Sequence, residues 1–378
     1  MSGFFVAPRI AWGTGAVEQL SGLGVRRAFL LVDPAVARRD GARRLVEELA
    51  KCDATVRVET ASERANSLDE VERVAALARE TPPDALIALG GGRTIDAAKA
   101  VRLRWTQPTL SLAELPPIWD PATGPGTVLV AVPTTSGSGA EAAWSADLVT
   151  PEGTPLEVAH RSLVPEWALL DPGLAASLAP AELMDGALEA LTLATEAFLS
   201  AWANPLSDAL ALDTVATVVR RLPHAVRWSD DPDARAALHY AATSAGLAAS
   251  NAQRGLAHAL ARALEGPTDL PYARLLGLAL PHVLEFDHPS ARDRLETLAD
   301  RARERDERSD ASLAQRLRRL YGQLPFPLTV RAAGGNVAAA EALRATVRAR
   351  VLGSPGALAN PRVPTEADLT ALLTAVLG

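Results

Sequence analysis

Residues 85–100, ALIALGGGRTIDAAKA, constrain the fold more than any other stretch of the chain. Apolar residues Ala85 to Leu89, a run of strand length, meet Gly90, Gly91 and Gly92, and an alanine-rich pattern of helical spacing follows. The order is strand, tight turn, helix start. Glycine admits positive φ and close approach of a ligand, while the new helix directs unpaired N–H groups and a partial positive charge at the turn. A phosphate or pyrophosphate suits that place. So does a plain packing turn, because the same glycines serve both.

The flanking sequence repeats the alternation. Arg27–Val32 reads as a short apolar strand ending in Asp33-Pro34, Ala54–Val58 as another, and helices are expected near Gly41–Leu49, Leu68–Glu80 and Thr94–Arg104. An extended segment at 4–12 and a helix from the Gly13-Thr14-Gly15 turn to about Leu23 precede them. Such β-α-β-α order predicts a Rossmann-like parallel sheet covered on both faces, with ligands at the carboxyl ends of its strands. At one of those ends, Asp33 suits the hydroxyls of a ribose and repels a 2′-phosphate, which slightly favours NAD over NADP; capping the helix that follows is an equal use. Residues 106–126, rich in Pro, Thr and Gly, read as a loop. Val128–Val132 is then a strand that runs into PTTSGSGAE at 133–141, where small hydroxyl residues between glycines offer donors without crowding a ligand.

From about Pro172 the pattern changes. Pro180–Ala203, Pro205–Arg221, Pro232–Ala249, Leu256–Leu264 and Tyr272–Leu284 have helical spacing, and prolines near the start of most of them suit first-turn positions. The expected architecture is an α/β nucleotide-binding domain over 1–170 and an all-α domain over 171–378. Cys52 is the only cysteine, which excludes an internal disulfide and a thiolate metal cluster and fits a reducing cytoplasm. A net charge of −7 gives no electrostatic case for nucleic acid or an anionic membrane, and no apolar run reaches the ~18 residues of a membrane span. Nor does the N-terminus resemble a secretion signal, so a cytoplasmic location is expected. Lys51 and Lys99 are the only lysines, which singles out Lys99 inside the helix after the glycine turn.

Taken together and in order, GGGRTIDAAK at 90–99, VPTTSGSGAE at 132–141, LLDP at 169–172, ALEALTLATEAFLSAWANPLSDALAL at 187–212, GLAHALARALEG at 255–266, LALPHVLEFD at 278–287 and NPRVPTEADL at 360–369 resemble the iron-containing alcohol dehydrogenase family, relatives of dehydroquinate synthase and glycerol dehydrogenase. The resemblance implies a nucleotide-binding α/β domain, an all-helical domain and an active site in the cleft between them. It also implies pyrophosphate contacts at Gly91 and Gly92, with Gly90 and Asp96 as cofactor-binding residues of the same motif, and places Thr134, Thr135 and Ser138 near the nicotinamide. Arg93 stands where the family more often has serine, so contact with the cofactor is expected to differ there.

The departure from the family lies at its metal site. Members that use iron or zinc hold it with an aspartate and three histidines, the first two at i and i+4 on one helix face. The corresponding residues here are Glu189 and Leu193, with His258 at the third position and Tyr272 at the fourth; Arg262 replaces a further frequent histidine. Leucine has no lone pair to give, so no catalytic metal is expected. Metal-free maleylacetate reductases offer a precedent within the resemblance. A protonated side chain must then meet the negative charge that develops on the substrate oxygen, and His258 and Tyr272 are the candidates. Arg262 suits an anionic substituent in a substrate pocket with Glu189 and Leu193, or a salt bridge to Glu189 or Glu265. His160, His224, His239, His282 and His288 are read as structural or surface residues. Glu141 and Glu196 match frequent family carboxylates that local hydrogen bonding explains.

The expected activity is metal-independent reduction of a carbonyl or imine by NADH or NADPH, on a small molecule, by a homodimer or other homo-oligomer. Redox-neutral elimination or cyclisation on the same fold, and nucleotide binding without turnover, are the alternatives.

Overall fold

The computed structural model describes residues 5–38, 41–115, 127–303 and 311–378; Phe4 and positions 116–126 of the expected 106–126 loop lie outside the described residues. The chain divides into two compact units, Met1–Leu178 and Ala179–Gly378.

The first unit holds strands β1 (Arg9–Trp12), β2 (Arg27–Val32), β3 (Thr55–Thr60), β4 (Ala85–Gly90), β5 (Val128–Pro133), β6 (Ser145–Val149), β7 (Pro155–Ala159) and β8 (Trp167–Leu170). Its helices are α1 (Pro34–Ala37), α2 (Gly41–Ala50), α3 (Leu68–Glu80), α4 (Gly92–Thr106) and α5 (Pro172–Ala175). Six strands form one parallel sheet in the order β1-β8-β5-β4-β2-β3. All six residues of β4 are buried, as a central strand covered on both faces requires. Successive side chains alternate between two cores. Phe29, Leu31, Leu86, Ala88, Leu129 and Ala131 pack with α3 and α4, whereas Leu30, Val32, Ile87, Leu89, Val130 and Val132 pack with α2 and the 3-10 helix Ala16–Leu23. From β2 the chain builds outward to β3, then crosses back to β4 and continues through β5 to β8. The order therefore reverses between β2 and β4, which is where doubly wound sheets open a crevice at their carboxyl ends.

Two expectations change in this unit. The segment to Leu23 is a 3-10 helix, and β6 and β7 form an antiparallel hairpin that the sequence reading left unassigned. The hairpin is held from outside: the Lys99 Nζ donates to the Ser145 carbonyl at 2.7 Å, and Asn66 Nδ2 donates to the Asp147 carbonyl at 2.8 Å.

The second unit is helical: α6 (Pro180–Leu199), α7 (Pro205–Arg227), α8 (Pro232–Ala252), α9 (Leu256–Thr268), α10 (Tyr272–Arg301), α11 (Leu313–Gly322), α12 (Val337–Ala342), α13 (Arg344–Leu352), α14 (Pro355–Ala359) and α15 (Glu366–Leu377). One apolar cluster draws on all ten helices. Pro205 and Pro232 occupy the first helical turns behind the side-chain caps of Asn204 and Asp231. α10 continues well past its expected end at Leu284; Pro289 removes one backbone donor, and Ala291 (φ −136°, ψ 28°) marks the kink two residues later. No helix among the described residues is long and apolar enough to cross a membrane.

Lys99 is fully buried, and its Nζ donates to Asp96 Oδ1 at 3.0 Å while the Asp147 N–H donates to Asp96 Oδ2 at 3.0 Å. Burial pushes the Asp96 carboxyl up, against the pull of Lys99. Removing one member leaves the other charged and uncompensated. Lys99→Met is expected to cost about 3–5 kcal/mol in urea unfolding, and Asp96→Asn in the same chain to restore much of it. An unchanged unfolding midpoint in Lys99→Met would refute that role for the pair.

Candidate active site

The first group of site residues lies at the carboxyl ends of β2, β4 and β5. Asp33 follows β2; its Oδ1 accepts the Ala35 N–H at 2.8 Å as the cap of α1, and its Oδ2 accepts the Thr94 hydroxyl at 3.3 Å. Gly90 explains how these side chains close over the turn, since a Cβ there would lie 2.8 Å from the Cβ atoms of both Asp33 and Thr94. A Cβ on Gly91 would lie 3.0 Å from Thr135 Cγ2, and one on Gly92 would lie 2.6 Å from Ser138 Oγ. The glycine turn and the Thr/Ser loop therefore touch through backbone on one side. Thr134, buried, joins them by donating its N–H to the Gly90 carbonyl at 3.0 Å.

Gly91 is the N-cap of α4 and contributes no side-chain acceptor. The helix thus presents its first-turn N–H groups and positive dipole end at the reversal point of the sheet, with half-buried Thr135 and Ser138 beside it and Arg93 exposed. That arrangement suits a phosphate. Asp96, grouped with these residues by motif, has both carboxylate oxygens engaged by Lys99 and Asp147, and it ties α4 to β6. Thr94, overlooked in the sequence, is the residue that reaches Asp33.

The second group lies in the helical unit. Asp269, in the left-handed region at φ 58°, turns the chain between α9 and α10 within three residues, so Tyr272 at the start of α10 comes back beside α9. The Tyr272 hydroxyl is hydrogen-bonded to His258 Nδ1, with the rings edge to face at 81° and their centroids 5.5 Å apart. Arg262, one turn after His258, lies with Cζ 5.2 Å from the Tyr272 ring centroid and donates from Nη1 to Glu265 Oε2 at 3.3 Å. A salt bridge to Glu265, one of the uses expected for it, is thus present. Leu193 is buried in the helical core and Glu189, one turn earlier on α6, is half-buried. Among the other histidines, His160 caps the 3-10 helix Arg161–Leu163 and His224 pairs with Asp231 at 2.7 Å.

Two buried acids flank this group. Glu196 Oε1 accepts the backbone N–H of Ala257 at 2.6 Å and of His258 at 3.1 Å. Burial pushes its carboxyl up to about 7 despite those bonds. Asp287 accepts from Asn360 Nδ2 at 2.6 Å and is pushed up to about 7, chiefly by burial and further by the charge of Glu196. The sequence signal for Glu196 was an absence: α9 starts after a glycine, with no capping side chain of its own.

Comparison with known proteins agrees across both units. The profile described as iron-containing alcohol dehydrogenase matches residues 7–172, and that of the Fe-containing alcohol dehydrogenase family C-terminal region matches 183–377. An alcohol dehydrogenase of Thermococcus barophilus is 30% identical over 294 residues, covering 76% of each chain. The NADPH-dependent butanol dehydrogenase of Clostridium saccharobutylicum is 28% identical over 341 residues, 87% of this chain and 86% of that one. Among solved structures, the iron-containing alcohol dehydrogenase of Thermococcus thioreducens superposes with a TM-score of 0.86 at 26% identity over 98% of both chains. Sulfoacetaldehyde reductase of Bifidobacterium kashiwanohense, in complex with NAD+, does so with a TM-score of 0.86 at 21% identity, covering 100% of this chain and 99% of that one.

The buried acids carry a pH signature. An acid whose folded pKa exceeds its unfolded value opposes folding once both states are ionised, and the penalty shrinks as pH falls toward the unfolded pKa. For Asp287 that window runs from about 7 down to 3.8. Asp287→Asn keeps the acceptor for Asn360 and removes the charge. Its unfolding free energy relative to the parent should rise by about 1.4 kcal/mol per pH unit across the window and level off above it. A difference independent of pH in urea titrations would contradict the raised pKa.

Proposed function

The chain belongs to the iron-containing alcohol dehydrogenase family, an oxidoreductase family, and on that premise we propose that it reduces a carbonyl or imine with NADH or NADPH without a metal ion. The observation that carries the reading is the hydrogen bond between Tyr272 and His258, formed where two metal ligands would stand. The four family positions hold Glu189, Leu193, His258 and Tyr272. Leu193 has no donor atom and Tyr272 engages one imidazole nitrogen of His258, so this set does not fit the aspartate and three histidines of the family's metal site.

The cofactor's pyrophosphate is assigned to Gly91, Gly92 and the first turn of α4, and its adenosine ribose to Asp33. NAD is slightly preferred because the Asp33 carboxylate would repel a 2′-phosphate. Thr134, Thr135 and Ser138 lie along the nicotinamide half. Arg262 beside Tyr272 receives an anionic substituent of the substrate, and Glu189 and Leu193 border the same pocket.

A reduced nicotinamide held there would supply hydride to the carbonyl carbon, and negative charge would then develop on the carbonyl oxygen. With the Tyr272 hydroxyl donating to Nδ1, the imidazole proton resides on Nε2; as the C–H bond forms, His258 gives that proton to the oxygen and takes the Tyr272 proton at Nδ1, so the ring stays neutral and the negative charge passes to the tyrosine oxygen. The proton on Nε2 is then restored from solvent. Tyr272 sets the resting tautomer, keeps the ring neutral by lending its proton to Nδ1, and recovers that proton as Nε2 is reprotonated.

His258→Ala and Tyr272→Phe should each reduce turnover roughly 10²–10⁴-fold, with NADH affinity retained in calorimetric titration. Unchanged turnover in both would remove the proton-donor assignment. Gly91→Val, which drives a side chain against Thr135, should weaken nucleotide binding in the same titration; undiminished binding would refute the phosphate role of the turn. Elemental analysis of the purified protein tests metal independence, and one iron or zinc per chain would overturn it.

A further inference from the structure

We propose that Glu196 is a positioning residue whose carboxylate, reaching from α6, holds the first turn of α9 and so fixes His258 in register with Tyr272. The inference rests on His258 being the proton donor, but its geometry stands by itself. A helix start leaves four N–H groups without intrahelical acceptors, and a polar side chain at the N-cap ordinarily takes one or two of them. The N-cap of α9 is Gly255, which has none. Its first N–H, from Leu256, goes to Asn360 Oδ1 at 3.3 Å, and the next two, from Ala257 and His258, go to Glu196 Oε1 at 2.6 and 3.1 Å. One of the two groups that Glu196 holds is therefore the backbone N–H of His258 itself.

The absence of a local cap is built in. A Cβ at residue 255 would lie 2.9 Å from Glu196 Oε1, so the carboxylate occupies the space that a capping side chain would need. On the far side Gly356 packs close to the Gly255 carbonyl, which a Cβ at 356 would approach to 2.5 Å. A serine or aspartate at 255 would stabilise α9 alone. A glutamate on α6 does more, because it ties the start of α9 to the helix that carries Leu193 three residues earlier and Glu189 seven residues earlier, on the same face. The register of His258 is thereby set against the helix that borders its pocket.

The other oxygen of Glu196 adds a second observation. Oε2 is buried and has no hydrogen-bond partner among the described residues, while the residue as a whole is 4% exposed. Burying an unpartnered carboxyl oxygen is costly.

The test reads the geometry of His258 apart from turnover. In protein labelled with [15N]histidine, the His258 ring signals, identified by their loss in His258→Gln, report the tautomer and the bond to Tyr272. Amide exchange at Ala257 and His258 reports the cap. Glu196→Ala should mix the His258 tautomers and speed exchange of those amides roughly 2- to 30-fold, the range that lost caps produce. Glu196→Gln, which retains an oxygen acceptor, should restore both toward the parent. Turnover measured alongside should fall in Glu196→Ala through kcat, with KM for the nicotinamide unchanged. Unaltered His258 signals and amide protection in Glu196→Ala would overturn the proposal, and so would a glutamine variant as disturbed as the alanine one. The proton-donor reading fails separately, through unchanged turnover in His258→Ala, whatever the ring signals show.

Discussion

Burial of β4 on both faces is the constraint from which the first unit follows. A strand whose six residues all lack solvent must pair on both edges and be covered above and below, and β2, β5, α3 and α4 on one side with α2 on the other meet that demand. Its end then becomes the natural binding place. The chain leaves the sheet through three glycines because the side chains of Asp33, Thr94, Thr135 and Ser138 leave no room for a Cβ. Packing by itself therefore requires the missing atoms.

The second unit places polar groups more sparingly. Its apolar cluster is broad, and the polar side chains within it are tied to helix ends: Glu196 and Asn360 to the start of α9, Asp287 to Asn360. In a medium of low polarity such groups act strongly on what they touch, and fixing them costs solvation that only specific partners recover. The acids Glu196 and Asp287, both raised to about 7, show that this recovery is incomplete. The same helix start places His258 beside the tyrosine that takes the position of a histidine in metal-binding relatives.

Much of the architecture was legible because its signals are short in range. Strands β2 and β4 and helix α3 lie where period and glycine punctuation put them, and prolines behind Asn204 and Asp231 mark the starts of α7 and α8. The β6–β7 hairpin was not legible, since five-residue strands carrying Asp147 and Glu157 look like loop, and their order comes from Lys99 and Asn66 elsewhere in the chain. The extension of α10 to Arg301 was hidden for a related reason. Pro281 and Pro289 argue locally for an end, and packing against the helical core overrides them.

The sequence by itself determined the alternation that makes a parallel sheet, the glycine and hydroxyl loops at its strand ends, and the absence of histidine at Leu193 and Tyr272. These are matters of residue type and local spacing. Only the tertiary structure decided that the hydroxyl of Tyr272 meets the ring of His258, that Asp96 turns to Lys99 and the backbone of Asp147, and that Glu196 caps a helix starting some sixty residues later. Each of those bonds depends on where helices pack, and packing is set by the sum of many apolar contacts that no local pattern of residues encodes.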